Sequence, residues 1–246
     1  MFRVVVFFIS MLDFKHERLL VIAPHPDDEV LGCGGLIKRI KEEGGKVYVL
    51  FITIGNTKEY SKNGNSTIQE RMKEIEKVAK FLKYDDYRIV FKGDRFHLKL
   101  DQLPQKDLMS EIENGQKVSL NKTKPTIVAL PYLTDYNQDH RSVSQAVLAS
   151  VRPAPPDIKP LQRTILGFES VPTADWWHTP RNINFFVSLS DNDLKVKISA
   201  LKIYKSQLRI GYHTRSIWAM KNLAYFRGMQ IGERSAEAFY CYRDIV

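Results

Sequence analysis

The stretch Val21-Ile22-Ala23-Pro24-His25-Pro26-Asp27-Asp28-Glu29 decides how the rest of the chain is read. The apolar run Leu19 to Ala23 has the length and composition of a buried strand. Pro24 and Pro26 stop it, because proline has no N–H to give to a ladder. Val30-Leu31-Gly32-Cys33-Gly34-Gly35-Leu36-Ile37 then opens a helix. A histidine and three carboxylates therefore occupy the turn from strand to helix, where open α/β sheets hold their ligands. One reading is structural: the carboxylates cap the helix that begins near Glu29. The other is chemical: His25 and Asp28 supply two ligands to a metal, and Asp27 between them is a base. Catalytic zinc typically takes three N/O ligands and keeps one position open, so a third ligand must come from elsewhere.

Outward from this turn, strand and helix patterns alternate. Gly44-Gly45 ends the first helix. Lys46 to Ile54 runs apolar as a second buried strand, which completes a right-handed βαβ unit. Thr67 to Lys83 is a helix with Ile68, Met72, Ile75, Val78 and Leu82 on one face. Arg71 lies outside that stripe, where the plain expectation is a surface pair with Glu74. Tyr87 to Phe91 is a third strand. The long connection after it holds one short helix, Gln105 to Glu113, and His97 is read there as a loop residue. Pro125 to Pro131 is a fourth strand. Asp135-Tyr136-Asn137-Gln138-Asp139-His140-Arg141 follows it, at the same end of the sheet as His25, and enters a helix. A proline-rich connection, Arg152 to Pro160, leads to further strands at Thr164 to Glu169 and Asn184 to Leu189. Ser190 then caps a helix with Leu194, Ile198, Leu201 and Tyr204 on its inner face. Trp176-Trp177-His178 offers either a core ring or a sugar-stacking lip. Gly32, Gly34 and Gly35 match a dinucleotide fingerprint poorly, and the carboxylates before them would repel a pyrophosphate.

The totals are those of a globular protein. The 246 residues are 43% hydrophobic and 26% charged, which leaves ample material for a core. Cys33 and Cys241 make no disulfide framework and point to a reducing, cytoplasmic setting. No run approaches the roughly 20 apolar residues of a membrane span. The apolar N-terminal run Val4 to Ile9 is read as an edge strand or docked extension rather than a signal peptide. A net charge of +9 is spread without runs of like charge, so nucleic acid is not expected; a basic surface or an anionic substrate is.

The pattern His-Pro-Asp-Asp-Glu at 25–29 resembles the LmbE-like (PIG-L) family of zinc-dependent N-deacetylases, and residues 135–141 are similar to its second motif. The resemblance covers roughly Arg18 to Arg243. It implies an α/β, Rossmann-like, LmbE-like fold with a mostly parallel sheet flanked by helices. Residues 1–17 would be an extension and 18–246 a single deacetylase domain. It implies Zn²⁺, or Fe²⁺ in the cell, on His25, Asp28 and His140, with Asp27 as general base. Asp139 would orient a neighbouring group, as carboxylates behind a metal's ligands do. Arg71, on the second helix, would reach an amino-sugar substrate. The tail segments Tyr212 to Arg215 and Arg227 to Phe239 resemble the family's C-terminal pocket segment. They bring forward His213 as a catalytic or stabilising imidazole and Arg215 and Arg227 as contacts to an anionic substrate. Well-known members carry a histidine general acid where this chain has Asn137, which can bind substrate but cannot titrate. The implied activity is removal of an N-acetyl group from an amino sugar or its conjugate, by a chain able to form homo-oligomers. The alternatives are a metal amidohydrolase on a non-sugar amide, and a non-catalytic basic module for nucleic acid or polysaccharide.

Overall fold

The computed structural model describes residues 14–57, 65–155, 157–169 and 182–245. The apolar run at Val4 to Ile9 and the Trp176-Trp177-His178 segment lie outside the described residues. The first half alternates strand and helix: β1 (Arg18–Ala23), α1 (Asp28–Glu42), β2 (Lys46–Ile54), α2 (Ile68–Leu82) and β3 (Asp86–Lys92). Then follow α3 (Gln105–Asn114), the single turn α4 (Leu120–Thr123), β4 (Ile127–Pro131), α5 (Gln138–Ser150) and β5 (Thr164–Phe168). The chain closes with β6 (Phe185–Ser188), α6 (Asp191–Ile203), α7 (Ile217–Met229) and β7 (Ala236–Arg243).

The seven strands form one sheet in the order β3-β2-β1-β4-β5-β7-β6. The first five run parallel, while β7 is antiparallel to both β5 and β6. The expected mostly parallel sheet flanked by helices is what forms. Side chains alternate across each strand, and that period sorts the core. Leu19, Val21 and Ala23 pack on one face with α1, α2 and α6. Leu20 and Ile22 pack on the other with α3 and α5. Because β1 and β4 are neighbours and the chain leaves them toward opposite edges, the crevice at their carboxyl ends is the switch point of the sheet. Both sequence motifs sit there.

Two features differ from expectation. On α2, Met72 is 38% exposed while Arg71 is 2% exposed, the reverse of the helical stripe. The first turn of α2 overhangs the crevice rather than the sheet, so its inward residue is polar. Glu74, the expected partner of Arg71, instead accepts from the backbone N–H and hydroxyl of Ser206. The second difference is the tail. Residues 217–229 and 236–243, of which only the stretch 227–239 was read, as a pocket segment, form α7 and β7. α7 carries apolar residues around its whole circumference and so gives no clear stripe to read.

The glycines of α1 serve packing. A Cβ on Gly32 would lie 2.3 Å from the Phe168 ring. The helix therefore rides directly on β5, as close as a backbone can.

Candidate active site

The turn after β1 is under backbone strain. Asp27 has φ 106°, a left-handed conformation that non-glycine residues rarely adopt. It occupies the N-cap of α1, yet its side chain makes no capping hydrogen bond. Capping therefore does not explain the carboxylate. Its backbone N–H donates to Glu29 Oε2 at 3.1 Å, and its carbonyl accepts from Val30 and Leu31. Glu29 is wholly buried and receives the hydroxyls of Tyr204 and Tyr84 at 2.5 and 3.2 Å. Burial pushes its carboxyl up to about 8, only partly offset by the Tyr204 hydrogen bond. A buried acid and two tyrosines thus clamp the peptide that carries Asp27.

Asp28, the next residue, faces two imidazoles. Its Oδ2 lies 3.3 Å from His25 Nδ1 and 3.2 Å from His140 Nε2. All three side chains are buried, and their ligating atoms lie within 4.8 Å of one another. The remaining nitrogen of each ring is held from behind. His25 Nε2 meets Asp139 Oδ2 at 2.9 Å, and His140 Nδ1 meets Asp135 Oδ2 at 3.1 Å. Two imidazoles backed by carboxylates, with their front nitrogens converging on a third, fit a divalent cation of borderline softness.

Charge in the group follows from this geometry. Burial alone would raise Asp28; the His140 and His25 rings override it and hold its carboxyl far below the usual range. Burial works against a charged His140, but Asp28 and Asp135 lift its pKa well above the ordinary value. His25 is lifted in the same way by Asp139 and Asp28 against the cost of burial. Asp27 behaves differently. Burial and the neighbouring Asp28 carboxylate raise it to about 6, while Arg215, Arg71 and His25 pull it down.

These groups line a cavity of about 430 Å³ with Asn137, His213 and Arg215. His213 Nδ1 accepts the Arg215 backbone N–H at 3.0 Å, which places the proton of the neutral ring on Nε2. Arg215 reaches Gln207 Oε1 at 3.3 Å. Asn137 caps α5: its Oδ1 accepts from Asp139 N–H at 2.9 Å, which leaves its amide NH₂ as the group it can offer a ligand. Arg71 lines the cavity but is tied to the scaffold, with Nη1 within 3.2 to 3.3 Å of Gly55 O, Thr57 Oγ1 and His97 Nε2. Arg227 is not brought to this cavity. Its guanidinium is paired with the Glu169 carboxylate, beside the separate Lys197–Glu237 pair.

Sequence reasoning missed two residues. Asp135 stood inside the second motif without a role, and it orients His140. His97, read as a loop residue, is buried edge-on against His25 with ring centroids 5.1 Å apart. Burial, with His25 and Arg71 beside it, lowers its pKa to about 3, so it stays neutral. Gly55 is the signal that could have found it. A Cβ there would lie 2.4 Å from His97 Cβ, so the turn after β2 must be bare for His97 to reach the site.

Asp139 carries three contacts at once. Besides His25, it accepts the backbone N–H groups of Leu98 and Leu100, both at 2.9 Å. An amide in its place would point an NH₂ at one of these donors. Asp139→Asn is expected to weaken metal binding by about 10- to 100-fold with the fold intact. Competition with a chromophoric chelator reads this directly, and an unchanged affinity would refute it.

Comparison with known proteins agrees with this geometry. The family model described as PIG-L, GlcNAc-PI de-N-acetylase, matches residues 20–151, more than half of the chain and all of the buried His/Asp group. The chain belongs to the PIG-L family. The family is described as de-N-acetylases, hydrolases of amide bonds, and the expected enzyme class stands. Diacetylchitobiose deacetylase from Thermococcus kodakarensis is 26% identical, with 93% of this chain and 87% of that protein aligned. The uncharacterized deacetylase YaiS of Escherichia coli is 29% identical over 78% of this chain and 92% of its own. Among solved structures, the conserved protein TT1542 from Thermus thermophilus superposes with a TM-score of 0.70 at 27% identity, covering 96% of this chain and 97% of that one. Among the described residues, no helix is long and apolar enough to cross a membrane.

Proposed function

We propose that this chain, as one catalytic domain from residue 18 to 246, is a zinc-dependent deacetylase. Its substrate is an amino sugar or sugar conjugate bearing an N-acetyl group. The observation that carries the reading is the convergence of His25 Nδ1 and His140 Nε2 on Asp28, each ring backed by its own carboxylate. His25, Asp28 and His140 would hold the ion. A Zn²⁺ there supplies Lewis acidity toward the acetamide carbonyl and lowers the pKa of water.

The chain's own residues do the rest. Asp27, the one acid of the turn with neither a cap nor a histidine partner to hold it, takes a proton from the attacking water as general base. His213 offers its Nε2–H to the oxygen that becomes negative as the carbonyl carbon turns tetrahedral. With Asn137 in place of a titratable residue, Asp27 returns the proton to the departing amine. Arg215 stands within electrostatic reach of Asp27 and suits an anionic part of the substrate.

The decisive experiment measures amine release from N-acetylglucosaminyl compounds, with metal content determined in parallel. About one metal per chain and release abolished by a chelator are the expected results. Metal binding without release from any amino sugar would redirect the site to a non-sugar amide. Absence of metal after reconstitution with zinc or iron would overturn the ligand assignment.

A further inference from the structure

Residues 202–234 are chemically lopsided. They contain seven lysines and arginines and one acid, Glu233; Arg227 and Arg234 are paired with Glu169 and Asp191, and Lys202, Lys205 and Lys221 are exposed. The same span carries Ile210, Tyr212, Trp218, Phe226, Met229 and Ile231, with 92, 91, 59, 50, 69 and 38% of their surfaces exposed. Scattered exposed apolar residues are ordinary, but a large cluster marks a binding surface. These do cluster. Tyr212, on the loop before α7, meets Trp218 edge-on at 5.6 Å, and the two flank a shallow cavity of about 400 Å³ with Ile210 and Ile217. Trp218, Phe226 and Met229 leave α7 within about 80° of one another at the 100° per residue of an α-helix. Loop and helix thus present one apolar face.

Charge decides what covers it. A second copy docked face to face would bring the exposed Lys202, Lys205 and Lys221 of each copy together, with Glu233 the one acid of the span to offset them. An anionic partner gains from both features. A polynucleotide would use the basic residues and the rings but has nothing for Ile210, Met229 and Ile231. A lipid headgroup layer uses all of them, since aliphatic and aromatic side chains enter the acyl boundary while lysines stay among the phosphates.

We propose that residues 202–234 dock the protein on an anionic membrane surface. Ile210, Tyr212, Trp218, Phe226 and Met229 enter the interface, and Lys205 and Lys221, both exposed, lie over the headgroups. The other side of the same loop carries His213, Thr214 and Arg215 into the active-site cavity. If the preceding functional reading holds, the docked enzyme takes an amino sugar presented from the membrane.

The test is co-flotation of the full chain with vesicles of zwitterionic phospholipid alone or mixed with an anionic phospholipid. Binding is expected only to the anionic vesicles and to fall steeply with salt. Ile210→Glu combined with Trp218→Glu is expected to weaken it by about tenfold or more. The same variant should hydrolyse a small water-soluble N-acetyl amino sugar at the parent rate, which separates failure of this proposal from failure of the deacetylase reading. Three results would each overturn it: no flotation with anionic vesicles at low salt, equal flotation of the variant, or a stable dimer that the variant dissociates. Tight binding to a polynucleotide without binding to vesicles would likewise assign the face to nucleic acid.

Discussion

Asp27→Asn is expected to lower kcat by about 10³-fold while KM and metal content stay near those of the parent. The substitution is close to isosteric and tolerates the left-handed backbone at φ 106°, since asparagine is among the few residues that visit it. It removes only the ability to accept a proton. The pH profile gives a second signature. The carboxylate is the active form, so activity climbs as pH rises through its pKa, which burial and Asp28 raise to about 6 in the metal-free protein. A bound cation beside it favours the ionised form and moves this acid limb lower. The limb should vanish from the residual rate of the variant. Near-parent activity in Asp27→Asn would show that the proton goes elsewhere.

Asp28→Ala is expected to reduce bound metal from about one per chain to a trace and activity by more than about 10³-fold, because two imidazoles alone hold a divalent ion weakly. Asp28 Oδ2 also accepts the His25 backbone N–H at 2.9 Å, so alanine costs some stability as well. Asp28→Asn keeps that acceptor and separates the effects. It should remain folded by circular dichroism and still fail to retain metal through dialysis. Full metal occupancy in both variants would place the ion elsewhere. The absence of metal from Asp28→Asn with retention in Asp27→Asn would distinguish the two adjacent acids by function.

Much of this was legible in the sequence because the motif residues are local. His25, Asp27 and Asp28 lie within four positions on a turn bounded by prolines, and strand-turn-helix order fixes which end of the sheet they reach. The second motif was legible for the same reason. His97 was not, since nothing in residues 93–100 distinguishes a ring folded under Arg71 from one in solvent; only the bare turn at Gly55 hints at it. Arg71 and Met72 exchanged burial because the helical stripe assumes a uniform apolar floor, and here the floor ends at a polar crevice. The pairing of Arg227 was not legible because its partner, Glu169, comes from the end of β5, far away in sequence. The tail helix escaped notice because α7 has no polar side to set its period.

If the buried His/Asp group holds an ion as proposed, its placement at the junction of β1 and β4 ties metal capture to assembly. Its two halves are about 110 residues apart in the chain, and an unfolded polypeptide has no reason to hold them together. A nascent chain therefore cannot trap its ion until residue 140 has been synthesised and β4 has found β1. From then on the ion binds the native state alone, and each tenfold excess of free metal over the dissociation constant adds about 1.4 kcal/mol to the resistance of the fold against unfolding. With an ion held there as proposed, metal supply would set the resistance of this fold to unfolding as well as its activity.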